Sequence, residues 1–84
     1  MGETAKRVVF RVRWILQPKS WEVHRDGEMV KTLQRKSSAI HDGARLARDT
    51  YESEGTPTQL VIHGKNGKIQ SERTYGNDPR RSKG

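Results

Sequence analysis

From Val8 to Leu16 the chain alternates without interruption. Val8, Phe10, Val12, Trp14 and Leu16 fall on one side, and Val9, Arg11, Arg13 and Ile15 on the other. Successive strand residues point to opposite faces, so this run reads as a strand with one wholly apolar face. That face must be covered by another layer. The other face carries two arginines and belongs toward solvent. Pro18 ends the strand, because its nitrogen has no hydrogen to give to a ladder.

The rest of the chain supplies partners for that strand. Ser20 to Arg25 alternates again, with Trp21 and Val23 against Glu22 and His24. Asp26-Gly27 is a tight-turn dipeptide, since both central residues of such a turn need φ > 0. A third strand is expected over about Glu28 to Gln34. Its apolar residues Met29, Val30 and Leu33 do not alternate cleanly, so its register stays open. Ser37 and Ser38 are candidate helix caps. Behind them Ile40, Ala44, Ala47 and Tyr51 recur at helical spacing, and the pattern predicts a helix over 38–54. Asp42 is read into its first turn, Gly55 as its C-terminal stop and Pro57 as the block to continuation. Gly43 costs the helix stability relative to alanine, and its value there is a close approach to the sheet. Thr58 to His63 reads as a fourth strand, Asn66-Gly67 as a hairpin turn and Lys68 to Tyr75 as a fifth strand.

The order is β-β-β-α-β-β. It predicts an α+β domain with an antiparallel sheet of about five strands and one helix packed on one face. The expected core is Phe10, Trp14, Trp21, Val23, Ile40, Ala44, Ala47, Leu60, Ile62 and Ile69. Residues 1–5 are read as a flexible N-terminus, 6–76 as the single domain and 77–84 as a flexible basic tail.

With 84 residues, 30% of them hydrophobic, the core is thin. A small secreted domain of this kind is usually held by disulfides, and this sequence has no cysteine. No apolar run approaches the roughly 20 residues needed to span a bilayer, and the first residues lack the apolar stretch of a signal peptide. The expectation is a cytoplasmic protein without membrane association.

Charge narrows the function further. Seventeen lysines and arginines stand against ten aspartates and glutamates, a formal charge of +7. The excess lies on both sides of the 37–55 segment, which is itself slightly acidic. A basic protein gathers polyanions at its surface, nucleic acid above all. Arg11 and Arg13 are expected on the uncovered sheet face, joined by His24. A basic sheet face can enter a major groove or follow a phosphate backbone. Glu22 sits among them and weakens the patch.

Other chemistry finds no support in the residues. His24, His41 and His63 are scattered over two strands and a helix, without i, i+4 spacing or a neighbouring cysteine, so no metal, cofactor or catalytic site is expected. Asp42, Asp49 and Glu52 fit a solvated helix face better than a carboxylate pair. The glycines of His63-Gly64-Lys65-Asn66-Gly67-Lys68 miss the G-x-x-x-x-G-K-S/T spacing of a phosphate loop and open a strand rather than a helix. Trp14 and Trp21 lie on the apolar side of their strands and read as core rather than as platforms for bases.

Several segments together resemble a known family. They are Trp21-x-Val23, Ala39-Ile40, Ala44-Arg45-Leu46-Ala47, Leu60-Val61-Ile62-His63-Gly64, Asn66-Gly67-Lys68-Ile69 and Tyr75-Gly76-Asn77-Asp78-Pro79. Over about Trp21 to Pro79 the chain is similar to the small bacterial proteins grouped as DUF2188, a domain of unknown function. The basic stretch from Met29 to Lys36, Gly43 within the helix and the arginine-rich first strand depart from that pattern. The resemblance implies a compact α+β domain of bacterial or phage origin and carries over no catalytic residue.

The expected function is that of a small basic non-enzymatic protein that binds DNA or RNA. The contact residues are Arg11, Arg13, Lys31, Arg35 and Lys36, with Lys65 and Lys68 at the second hairpin and Arg80 and Arg81 as a trailing arm. The alternative is a protein-interaction module or a weak homodimer pairing through an edge strand, for which a thin core and open sheet edges argue.

Overall fold

The computed structural model describes residues 7–76. The assignments made above to residues 1–6 and 77–84, including Arg80 and Arg81, lie outside the described residues. Five strands and one helix follow in the expected order: β1 (Val8–Leu16), β2 (Lys19–Arg25), β3 (Glu28–Leu33), α1 (Lys36–Glu54), β4 (Thr58–His63) and β5 (Ile69–Tyr75).

The sheet order is β3-β2-β1-β4-β5. β1, β2 and β3 form an antiparallel meander, and β4 and β5 an antiparallel hairpin. β4 lies beside β1 and runs parallel to it, which corrects the purely antiparallel sheet expected from sequence. The physical reason is the length of the helix. Its 19 residues rise about 28 Å, enough to run back past strands of six to nine residues. α1 therefore carries the chain from the end where β3 finishes back to the end where β1 starts. The next strand can only run in the direction of β1.

The core lies between α1 and one sheet face. Val8, Phe10, Val12, Trp21, Val23, Leu60 and Ile62 come from the strands, and Ala39 and Ala47 from the helix. Thr58 is fully buried there, and its hydroxyl donates to the Ala47 carbonyl at 2.8 Å. The buried helix stripe is Ala39, Gly43, Ala47 and Thr50. Ile40, Ala44 and Tyr51, expected in that stripe, lie half-buried on its flanks. The residues with the smallest side chains face the sheet because the helix sits close to it. A Cβ on Gly43 would lie 3.1 Å from Leu60 Cδ1 and 3.2 Å from Val12 Cγ2.

The local turn chemistry follows the residues. Asp26 and Gly27 both have positive φ, and Asp26 closes the β2–β3 hairpin against Val9 through its backbone N–H and its carboxylate. Gly55 takes the left-handed conformation and its N–H bonds the Tyr51 carbonyl. In the β4–β5 hairpin only Gly67 is left-handed, and Gly64 and Lys68 close a three-residue loop.

Three sequence expectations are corrected. The helix starts at Lys36, so Ser37 and Ser38 are first-turn residues rather than caps. Arg35 occupies the cap position in extended conformation without a side-chain cap bond. Ala39 lies four residues before Gly43 on the buried stripe of the helix and is fully buried against the sheet. Asp42 lies beyond the first turn and instead meets Lys31 of β3 at 2.9 Å. Ile69 is 53% exposed rather than core, because β5 is an edge strand and the register shifts between Ile62 and His63.

Candidate nucleic-acid interface

The candidate contact residues divide between two surfaces. Arg11 and Arg13 project from the sheet face that the helix leaves open, as the alternation requires. Arg11 Nη1 donates to His63 Nε2 at 3.0 Å, and His63 Nδ1 donates to the Gly67 carbonyl at 2.9 Å. An arginine can only donate and a carbonyl can only accept, so these two bonds select the neutral His63 tautomer with hydrogen on Nδ1. Arg11 is thereby tied to the β4–β5 hairpin. Arg13 is exposed and stands in register with Glu22, which bonds His24 at 2.8 Å. On the β4 side, Gln59 Nε2 donates to Glu72 at 2.7 Å. Val61, in register between Arg11 and Glu72, is only 3% exposed beneath these side chains. Two arginines facing two glutamates leave the strand residues of this face without net charge when the histidines are neutral.

The second surface comes from strand direction. β1, β3 and β4 all finish at one end of the sheet, and β2 and β5 begin there. The connections at this end are short: Gln17-Pro18 leading into Lys19, Gln34-Arg35 leading into Lys36, and Gly64 to Lys68. They bring Lys19, Arg35, Lys36, Lys65 and Lys68 to one end of the molecule, and these connecting segments contain no aspartate or glutamate. The opposite end holds Asp26, Glu28, Glu52 and Glu54 together with Arg7 and Arg25, the latter paired with Glu54 at 3.4 Å. The N-terminus of α1 adds to the positive field, since its first turn has no acidic residue to offset the helix dipole.

This end is also aromatic. The Trp14 and Trp21 ring centroids lie 5.1 Å apart with planes tilted by 56°. The Lys36 ammonium stands 5.3 Å from the Trp21 ring and bonds Gln70, and the Lys65 ammonium stands 4.5 Å from the Trp14 ring. Gln70 packs over Gly64, where a Cβ would approach its amide to 2.8 Å, so the hairpin base is closed against the start of the helix.

Of the residues expected to make contact, Arg35, Lys36, Lys65 and Lys68 are gathered at this end, and Arg13 lies on the adjoining face. Lys31 is not among them. It pairs with Asp42 beside the helix, and its hydrogen bond, joined by the fields of Lys31, His41 and Arg45, holds the Asp42 carboxyl below its ordinary value of 3.8. Lys19 was missed by sequence reasoning, because nothing local signals that the β1–β2 turn shares an end with the β4–β5 hairpin. Trp14, expected in the core, is only half-buried. Among the described residues no group of three His, Cys, Asp or Glu could hold a metal, and no helix is long and apolar enough to cross a membrane.

Comparison with known proteins now adds the family. The sequence profile described as "Uncharacterized protein conserved in bacteria (DUF2188)" matches residues 12–75, from the middle of β1 to the last residue of β5. This chain belongs to the DUF2188 family. No curated protein and no solved structure matches it. The matched segment of this DUF2188 chain contains both tryptophans and Lys19, Arg35, Lys36, Lys65 and Lys68.

Proposed function

We propose that this DUF2188 protein is a non-enzymatic nucleic-acid-binding protein that holds the phosphate backbone with its cationic end. The observation that carries the reading is the convergence of Lys19, Arg35, Lys36, Lys65 and Lys68 on three connections free of carboxylates. Lysines and arginines release counterions from a polyanion when they neutralise its phosphates, and that release dominates non-specific affinity. Arg13 extends the contact onto the open sheet face. The neutral balance of that face makes it a flank rather than the centre. Phosphate contacts position a protein without reading sequence, so little sequence preference accompanies this mode.

Fluorescence anisotropy with a labelled duplex tests the reading across a salt series. Five phosphate contacts give a slope of about −4.5 for the logarithm of the binding constant against log salt. Joint reversal of Lys65 and Lys68 to Glu lowers the slope magnitude by about two and weakens binding strongly, whereas Arg48→Glu on the helix does not. Absence of binding to DNA and RNA at low salt, or a double variant that binds like the parent, refutes the proposal.

A second reading is supported by β3, an edge strand with exposed Met29 and Val30. Open edges pair with other chains, and a homodimer through β3 would cover those side chains. Sedimentation over a concentration series separates the two readings, because a monomer throughout removes the dimer and leaves the cationic end untouched.

A further inference from the structure

The cationic end holds an aromatic strip whose position differs from that of a core residue. Trp21 is 4% exposed and anchored under the start of α1. Trp14 faces the same side of the sheet from the neighbouring strand, in register with Trp21. It nevertheless stays half-buried, packed on the edge of the core. The Lys65 ammonium, carried on an exposed turn, stands over its ring. Two residues further along β1, Leu16 is 68% exposed, in register with Lys19. An apolar strip of Trp21, Trp14 and Leu16 is thus flanked by Lys19, Lys36 and Lys65.

We infer that this strip binds single-stranded nucleic acid, with a base stacked on Trp14 and the adjacent phosphates held by Lys65 and Lys19. The inference rests on the reading of the cationic end as a phosphate-binding surface and names the form of nucleic acid it takes. A duplex keeps its base faces stacked inside and has none to offer a surface ring. A single strand exposes them, and aromatic side chains in a positively charged groove are the usual means of holding it. Trp21, its partner on the neighbouring strand, packs against Trp14 with ring centroids 5.1 Å apart and flanks it on the core side. Lys65 covers the ring but does not close it. An exposed ammonium over an aromatic face contributes about 2- to 5-fold in an equilibrium constant. A stacked base contributes roughly 5- to 150-fold. Exchange of ammonium for base is therefore favourable, and the displaced ammonium stays beside the phosphate of the base that replaced it.

The test uses the full chain at low salt and three labelled probes of about twelve nucleotides per strand: oligothymidine, an abasic strand with the same number of phosphates, and a duplex. Oligothymidine is expected to bind at least about 5-fold more tightly than the abasic strand and to quench tryptophan emission. Trp14→Leu keeps an apolar side chain against Trp21. It should abolish the preference, so that the variant binds oligothymidine and the abasic strand equally, with the fold confirmed by circular dichroism. The comparison of oligothymidine with the abasic strand needs no substitution and decides the matter even if Trp14→Leu does not fold. Equal affinity of the parent for those two probes overturns the stacking inference and leaves the phosphate-binding reading in place. So does a folded Trp14→Leu variant that still prefers oligothymidine. Failure of all three probes to bind refutes the phosphate-binding reading itself, and the stacking inference with it.

Discussion

Replacing Gly43 with alanine sets two opposed effects against each other inside the helix–sheet contact. An alanine in a helix interior is favoured over glycine by about 1 kcal/mol, and burying one more methyl adds about 0.8 kcal/mol. Against this, the new Cβ would stand 3.1 Å from Leu60 Cδ1, 3.2 Å from Val12 Cγ2 and 3.9 Å from Val23 Cγ1. All three neighbours are fully buried, and valine is stiff about χ1, so none can move without disturbing the rest of the core. Overpacking of this kind costs about 1–3 kcal/mol, and the crowding here places it at the upper end. The expected net effect of Gly43→Ala is a loss of about 1 kcal/mol, a fall in Tm of roughly 4–8 °C for a domain of this size. Thermal and urea unfolding measure it. A double-mutant cycle with Leu60→Val isolates the cause. That substitution removes the nearest atom, so in its background Gly43→Ala should be close to neutral, a coupling of about 1 kcal/mol. If Gly43→Ala instead stabilises the parent by about 1 kcal/mol, with no coupling to Leu60, helix propensity alone governs the position and the close-approach argument is refuted.

Thr58→Val removes the buried hydroxyl that bonds the Ala47 carbonyl while keeping the shape of the side chain, and should cost about 1 kcal/mol in urea unfolding; an unchanged midpoint would show that the bond contributes nothing. Asp42→Asn removes the ion pair with Lys31, which is half exposed, so the loss at neutral pH should be no more than about 0.5 kcal/mol. Because the Asp42 carboxyl is lowered in the fold, its contribution is present above the ordinary value of 3.8 and fades as pH falls through the folded value. Parent and variant should therefore converge once pH falls below the folded value, and a difference that persists at the acid end of the titration would contradict the assignment.

Much of the fold was legible because it is local. The alternation through β1, the φ > 0 demand at Asp26-Gly27 and the stop at Gly55 act within a few residues, and each element formed where its residues called for it. The value of Gly43 could also be read, since a helix on a sheet needs a small residue at its point of contact. The helix start was displaced because Ser37 and Ser38 resemble caps, while the chain is already helical from Lys36 with Arg35 at the cap position. The direction of β4 was misjudged because turn signals describe hairpins and say nothing about where a long helix delivers the chain. Ile69 looked like core from its hydrophobicity, but an edge strand has a neighbour on one side only. The cationic character of the protein was written in its composition. Its position was not. Lys19, Arg35 and Lys65 are far apart along the chain, and they share one end of the molecule only because β1, β3 and β4 all point the same way. That common direction is set by long-range strand pairing under a helix that spans the sheet, and no short stretch of residues contains it.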